Sequence, residues 1–254
     1  MPIPEPRPSA GAITYDEILV PGHERLSFAE LGRRCHLRHA VGPAHLDPDL
    51  IPMARPRLEG WRGSLGQADA AAGHLRNQRV GPDDLFLFFG TFAHLVSDGL
   101  PRQPRFHAFF GYLQVESVID LTAGDFVPVW LRDHPHLSDA ARISYRPNTL
   151  YTARRTLDFA PERSGWGVFR YADSLRLTPS DHFGLTQWEL PSCFGPEAGA
   201  TVSYLPSNLW SSSHPERVRA HVRGNKQELV CTGNPEIGNW AMKLVLNSAT
   251  WAPP

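Results

Sequence analysis

Leu85-Phe-Leu-Phe-Phe89 and the longer stretch Arg105-Phe-His-Ala-Phe-Phe110, Gly111, Tyr112-Leu-Gln-Val-Glu-Ser-Val-Ile119 set aromatic and β-branched side chains in close succession. Such runs suit a pleated, half-buried surface and carry no helical period, so they predict a pair of strands at the core. The turn Gly81-Pro82-Asp83-Asp84 leads into the first run and Gly90 closes it. Gly111 marks a bend or bulge in the second. Any fold for this chain has to be built around that pair.

The flanking sequence predicts smaller elements. Pro2, Pro4, Pro6 and Pro8 make residues 1–12 irregular. Ser27 and Glu30 have the spacing of a capping box, which starts a short helix carrying Leu31. Residues 41–64 hold Pro43, Pro48, Pro52 and Pro56 among three glycines and read as a long ordered loop, a class that often carries function. Ala68, Ala71, Ala72 and Leu75 predict a helix over residues 64–78. Short strands follow at 149–152, 167–169, 188–190, 202–204 and 228–231. Asn234 as cap and Pro235 at the first helical position open a closing helix to residue 246. The expected architecture is one mixed, strand-rich α+β domain spanning residues 1–254.

Charge and composition bound the partners. The net charge of -1 argues against an indiscriminate binder of polyanions. Among 25 basic residues only Lys226 and Lys243 are lysines, a bias that a GC-rich genome also produces. Seven arginines against three carboxylates between residues 140 and 180, and Arg217, Arg219, Arg223 and Lys226 beyond, form locally basic stretches. Guanidinium groups suit phosphates and base edges. Cys35, Cys193 and Cys231 are odd in number and widely spaced, which predicts free thiols in a reducing, cytoplasmic compartment. The N-terminus has no signal-like pattern, and no apolar run is long enough to cross a membrane. The sequence sets no oligomeric state.

Four constellations could carry chemistry. In His45-Leu-Asp-Pro-Asp49, Asp47 and Asp49 alternate about a proline and could share one side of an extended segment, where they could bind a cation or divide acid and base roles. The plain alternative is Asx-turn chemistry, common around proline and favoured for this motif taken alone. His134 and His136 flank Pro135, and in an extended segment they would share a face; His107 lies in a predicted strand. No third metal ligand is set by local spacing and no zinc signature is matched, so no metal is assigned and a structural, hydrogen-bonded role has precedence. Gly66-Gln67 after Trp61-Arg62 would stand at a helix entrance, where anions bind and an amide beside an aromatic plane could read a base. Gly224-Asn-Lys-Gln-Glu228 offers amides and charge on a turn, and describes a solvated hairpin tip equally well.

These residues carry two resemblances. The central strand pattern, Asp83 to Gly90 and then Phe106 to Val115, resembles that of PUA-like barrels, including ASCH and EVE domains. That implies a PUA-like β-barrel over roughly residues 64–155 with peripheral helices, and RNA or modified bases as ligands. Across nearly the whole chain, His45-Leu-Asp-Pro-Asp49, Gly60-Trp-Arg62 with Gly66-Gln67, Leu85 to Gly90, His134-Pro-His136, Asn148-Thr-Leu-Tyr151 and the Gly-x-x-Gln-Glu of 224–228 follow the order of a bacterial and phage family, nucleotide modification associated domain 3. The resemblance implies a domain that modifies nucleotides or nucleic-acid bases. His45, Asp47 and Asp49 would be its catalytic groups, and Trp61, Gln67, His107, His134, His136, Asn148, Tyr151 and Gln227 would line the ligand pocket. The partner would be a nucleotide or a nucleic acid with a modified base; no cofactor is named. Members of that family begin with a further strand ahead of a Pro-Ile-Pro segment, seen here at residues 2–4; relative to that pattern the N-terminal motif is missing, which fits a misassigned start, a truncation or a member without the strand. A non-catalytic reader of a modified base and a structural or partner-binding protein are the alternatives.

Overall fold

The computed structural model describes residues 5–6, 13–20, 25–35, 42, 44–95, 101–138, 144–182, 184–222 and 228–251. The predicted central pair is present and longer than expected. Strand β4 (Leu85–Leu95) runs past Gly90 and pairs antiparallel with β5 (Pro101–Asp120). Phe88 faces Gly111 while Phe89 faces Phe109, so one extra residue bulges out beside Gly111, where the bend was expected. The glycine is needed there. A Cβ on Gly111 would lie 2.7 Å from the Gly167 carbonyl oxygen and 2.8 Å from Leu50.

The remaining strands, in chain order, are β1 (Glu5–Pro6), β2 (Ala44–His45), β3 (Ser64–Ala68), β6 (Asn148–Ala153), β7 (Thr156–Leu157), β8 (Ala160–Ser164), β9 (Trp166–Val168), β10 (Gln187–Pro191), β11 (Thr201–Val202), β12 (Trp210–His214), β13 (Arg217–His221) and β14 (Cys231–Thr232). The helices among the described residues are α1 (Phe28–Arg34), α2 (Asp69–Asn77), α3 (Pro135–Ser138) and α4 (Pro235–Asn247). The central sheet has the order β3-β6-β5-β4, with β9 also paired to β5. The protein is α+β, as expected, but this sheet is open: β3 and β4 end it and do not pair with each other. The barrel implied by the PUA-like pattern is therefore not formed among the described residues. The long β5 is shared on one side by β9 and then β6, and is paired to β4 on the other.

The sheet's two faces take different cores. Leu65, Leu113, Val115, Tyr151 and Ala153 pack with Leu75 of α2, whereas Leu150 and Ile119 pack with Leu131 on the opposite side. The alternation of β6 between these clusters is the period of two that a strand buried on both faces requires. Leu113 is fully buried at the sheet's middle. Truncating it to Ala is expected to lower stability by about 2–5 kcal/mol, read as a shift in the denaturant midpoint; an unmoved midpoint would place the core elsewhere.

Local signals set the helix ends. Ser27 Oγ accepts from the Glu30 amide at 3.2 Å, and Asn234 Oδ1 accepts from the Glu236 amide at 3.0 Å. Helix α4 buries Ile237, Ala241, Leu244 and Val245, the predicted face. Three readings are corrected. Residues 64–68 form strand β3, because each pairs with β6 from Ser64↔Thr152 to Ala68↔Asn148, and the helix begins only at Asp69. Residues 228–230 are not in a strand; β14 starts at Cys231. Residues 5–6, inside the segment expected to be irregular, form β1 and pair with β2, Glu5↔His45 and Pro6↔Ala44.

Some arginines of the basic stretches are engaged by the protein itself, whereas Arg146, Arg155, Arg170 and Arg217 are exposed and Arg142 lies outside the described residues. Arg154 pairs with Asp83, Arg163 donates to the Val245 carbonyl, Arg176 donates to the Thr178 carbonyl, and Arg219 bridges Asp181 and Glu189. Arg223 and Lys226 lie outside the described residues. The three cysteines are free. No described helix is long and apolar enough to cross a membrane.

Candidate functional site

The Asp47 carboxylate is the meeting point of four segments. Its side chain is 4 % exposed, and the Gly66 amide of β3 donates to Oδ1 at 2.9 Å. His136 Nε2 approaches Oδ2 at 3.2 Å, His45 Nε2 approaches Oδ2 at 3.6 Å, and His134 Nε2 approaches Oδ1 at 3.8 Å. All three imidazoles are buried. Three ring nitrogens thus face one buried carboxylate, and only His136 is within hydrogen-bonding range.

Each group is held by local structure. His45 ends β2, and with one residue between them His45 and Asp47 reach the same cluster while Leu46 turns into an apolar core with Tyr15 and Phe28. His134 and His136 are not on an extended segment. Pro135 opens α3, the His136 amide donates to His134 Nδ1 at 3.2 Å, and Ser138 Oγ donates to the His134 carbonyl. Both rings still reach Asp47, with ring centroids 5.6 Å apart. Asn148 Oδ1 holds His136 Nδ1 at 2.6 Å from the start of β6. Gly66 is the flat wall of the site: a Cβ there would sit 2.4 Å from the His136 ring, so no other residue fits without displacing the imidazole.

The electrostatics follow from burial and crowding. Burial alone would raise the Asp47 pKa, but the imidazole of His136, then those of His45 and His134, outweigh it and hold the carboxyl well below the usual carboxylate range. Burial pushes His134 down to about 3, with Asp47 opposing and the neighbouring imidazoles and Arg55 adding to the fall. His134 is therefore neutral. Because its Nδ1 accepts the His136 amide, its proton sits on Nε2, aimed at the Asp47 carboxylate. Among the described residues, His134 Nε2 and His45 Nδ1 are buried without a hydrogen-bond partner, as is the Ser64 hydroxyl on the same face of β3 as Gly66. Such atoms concentrate where a site has work to do.

Asp49 goes elsewhere. Its backbone exchanges hydrogen bonds with Ser64, and its carboxylate takes both Nη groups of Arg57 at 2.6 Å. Arg57 also donates to the Ile51 and Pro52 carbonyls and lies 4.0 Å over the Trp61 ring. The two aspartates, expected on one side, diverge: one meets the histidines and the other anchors the loop that carries them. Arg57 gave no sequence signal, since nothing in an irregular Pro-rich loop links residues 49 and 57.

The other expected pocket residues are dispersed. Tyr151 points into the core on the face opposite Asn148 and meets Phe86 edge-on at 5.3 Å. Gln67 is half-buried on the Leu65 side of β3, away from Gly66 and His136. Trp61 is half-buried against Trp166. Gln227 lies outside the described residues. His107 is buried beneath Trp188, whose indole Nε1–H donates to its Nδ1 at 2.8 Å.

Burial holds His107 at about 4, below the ordinary 6.5. The unfolded chain takes up that proton first, so stability is expected to fall as pH drops from about 6.5 to about 4, by up to about 1.4 kcal/mol per pH unit. His107→Asn keeps an acceptor for the indole and should flatten this slope in urea titrations. Parallel slopes for parent and variant would assign the acid sensitivity to other groups.

An open groove of about 330 Å³ is lined by Leu50, Met53, Tyr112, Arg163, Trp166 and Trp251 among others, and by none of the residues of the Asp47 cluster. Comparison with known proteins gives no match to a curated protein or to a solved structure. The family model for nucleotide modification associated domain 3 matches residues 1–232, a span that holds the whole Asp47 cluster and the central sheet, and the chain belongs to that family.

Proposed function

We propose that this domain modifies nucleotides or nucleic-acid bases, with chemistry centred on Asp47. One observation carries the reading. His45, Asp47, His134, His136 and Asn148, drawn from segments up to 103 residues apart, converge on a single buried cluster. A core built only for stability gains little from crowding three imidazoles around a buried carboxylate, because desolvating such groups costs free energy that well-packed apolar residues avoid. An ionised carboxylate beside a neutral imidazole with its proton on Nε2 supplies a fixed negative charge and a proton donor side by side. Asp49, clamped by Arg57, acts as a positioning residue for the His45–Asp47 loop rather than as a second reacting carboxylate.

A second reading has its own support. The groove with Trp166 and Trp251 on its walls suits stacking of a planar base, as in a non-catalytic reader. The experiment that separates them is mass spectrometry of nucleosides from DNA, RNA and the free nucleotide pool, with and without the protein. New or missing modified nucleosides support the enzyme. Nucleoside binding with no change in any pool supports the reader.

A further inference from the structure

We propose that His45, Asp47 and His136 form a binding site for a divalent first-row transition-metal ion, with His134 as a proton donor beside it. The inference concerns the cluster used by the functional reading and rests on that reading for its purpose, although metal binding is measured without any substrate. One donor atom from each of the three residues lies within 4.8 Å of the other two. Two histidines and one carboxylate are the donor set that holds such ions while leaving coordination positions open.

The distances suit co-ligands better than a hydrogen-bonded network. Donors around a tetrahedral ion with bonds of about 2.0–2.1 Å lie about 3.3 Å apart. Asp47 Oδ2 lies 3.2 Å from His136 Nε2 and 3.6 Å from His45 Nε2. The second of these is too long for a hydrogen bond and near the separation of two ligands on one ion. Burial sharpens the point, since the side chains of His45, Asp47 and His136 are 8 %, 4 % and 0 % exposed and bulk solvent does not screen the carboxylate from the rings.

The surroundings have the form of an outer ligand shell. Asn148 Oδ1 at 2.6 Å takes the proton of His136 Nδ1, which turns the Nε2 lone pair toward Asp47 Oδ2. Two lone pairs so close repel unless a cation lies between them. A proton fills that place for His136 alone, whereas a metal ion satisfies His136, His45 and Asp47 together. The Gly66 amide orients Asp47 through Oδ1 and leaves Oδ2 to the imidazoles. His134 stands apart from the three. Its Nδ1 is occupied by the His136 amide, so the buried, unpartnered Nε2 carries the proton and is a donor, not a ligand. Sequence inspection missed the site because the third ligand lies 89 residues beyond Asp47.

The test uses the untagged full chain. Elemental analysis of the purified protein should find about one transition-metal ion per chain. After chelation, Zn²⁺, Mn²⁺, Co²⁺ or anaerobic Fe²⁺ should raise the melting temperature by roughly several degrees. Asp47→Asn and His45→Gln should lose both the ion and the shift. X-ray absorption at the metal edge of the parent should show imidazole and oxygen ligands without sulfur, and this decides the matter should the variants fail to fold. No bound ion together with no shift for any metal overturns the proposal, as does a shift that folded variants retain or a spectrum lacking imidazole. Nucleoside modification by a protein that takes up no metal would overturn this inference and leave the proposed function standing. A bound ion with every nucleoside pool unchanged would do the reverse.

Discussion

Asp47→Asn is expected to lower base-modifying turnover by on the order of 10²-fold or more, the scale of a lost acid–base or charge-stabilising group, while changing nucleotide affinity by no more than a few-fold. The substitution keeps the side chain's shape and its acceptor for the Gly66 amide but removes the charge that three imidazoles surround. A group acting on the transition state damages kcat and spares ground-state binding, whereas a group that reads a ligand weakens binding in proportion. The check is ligand binding and product formation measured side by side on parent and variant. Turnover equal to the parent's would remove Asp47 from the chemistry.

Arg57→Ala is expected to destabilise the protein by about 3–5 kcal/mol, the cost of leaving a buried carboxylate without its partner. Asp49 is 2 % exposed and both its oxygens are held by Arg57 at 2.6 Å. The arginine also ties down two loop carbonyls and stacks on Trp61. The double variant Asp49→Asn with Arg57→Ala should lose less than the two single losses added together, because the stranded charge is gone. Urea denaturation of the four proteins measures this. A loss below about 1 kcal/mol for Arg57→Ala, the scale of an exposed pair, would show that the loop is anchored by its backbone alone.

The readability of this sequence divides along a physical line. The β4–β5 pair, the capped helix α1 and the face of α4 were legible because aromatic density, capping residues and a 3.6-residue period are local properties. Strand β3 was not, because Ala68, Ala71, Ala72 and Leu75 extend a helical pattern backward over residues whose conformation is decided by pairing with β6. His45, Asp47, His134, His136 and Asn148 were legible as separate motifs. Their convergence was not, and neither was the departure of Gln67 and Tyr151 to the other face of the sheet, which depends on register. Gly66 was visible only as half of Gly66-Gln67, yet it is the glycine, through its amide and its missing side chain, that shapes the cluster.

The distribution of the cluster along the chain bears on when it can come into being. Asp47 reaches Gly66 across 19 residues, and the imidazoles of His134 and His136 lie well over 80 residues from it. Closing loops of that length costs chain entropy that only the finished sheet repays, so the cluster belongs to the late, slow part of folding. Before β3 and β6 are zipped together, the Gly66 amide on Asp47 and the Asn148 carboxamide on His136 cannot be brought to the same cluster. A chain that ends before β6 can bring together at most His45, Asp47, Gly66 and the histidines of α3, without the Asn148 hold on His136. On the proposed function, any chemistry at the cluster waits for a molecule that has already assembled its central sheet.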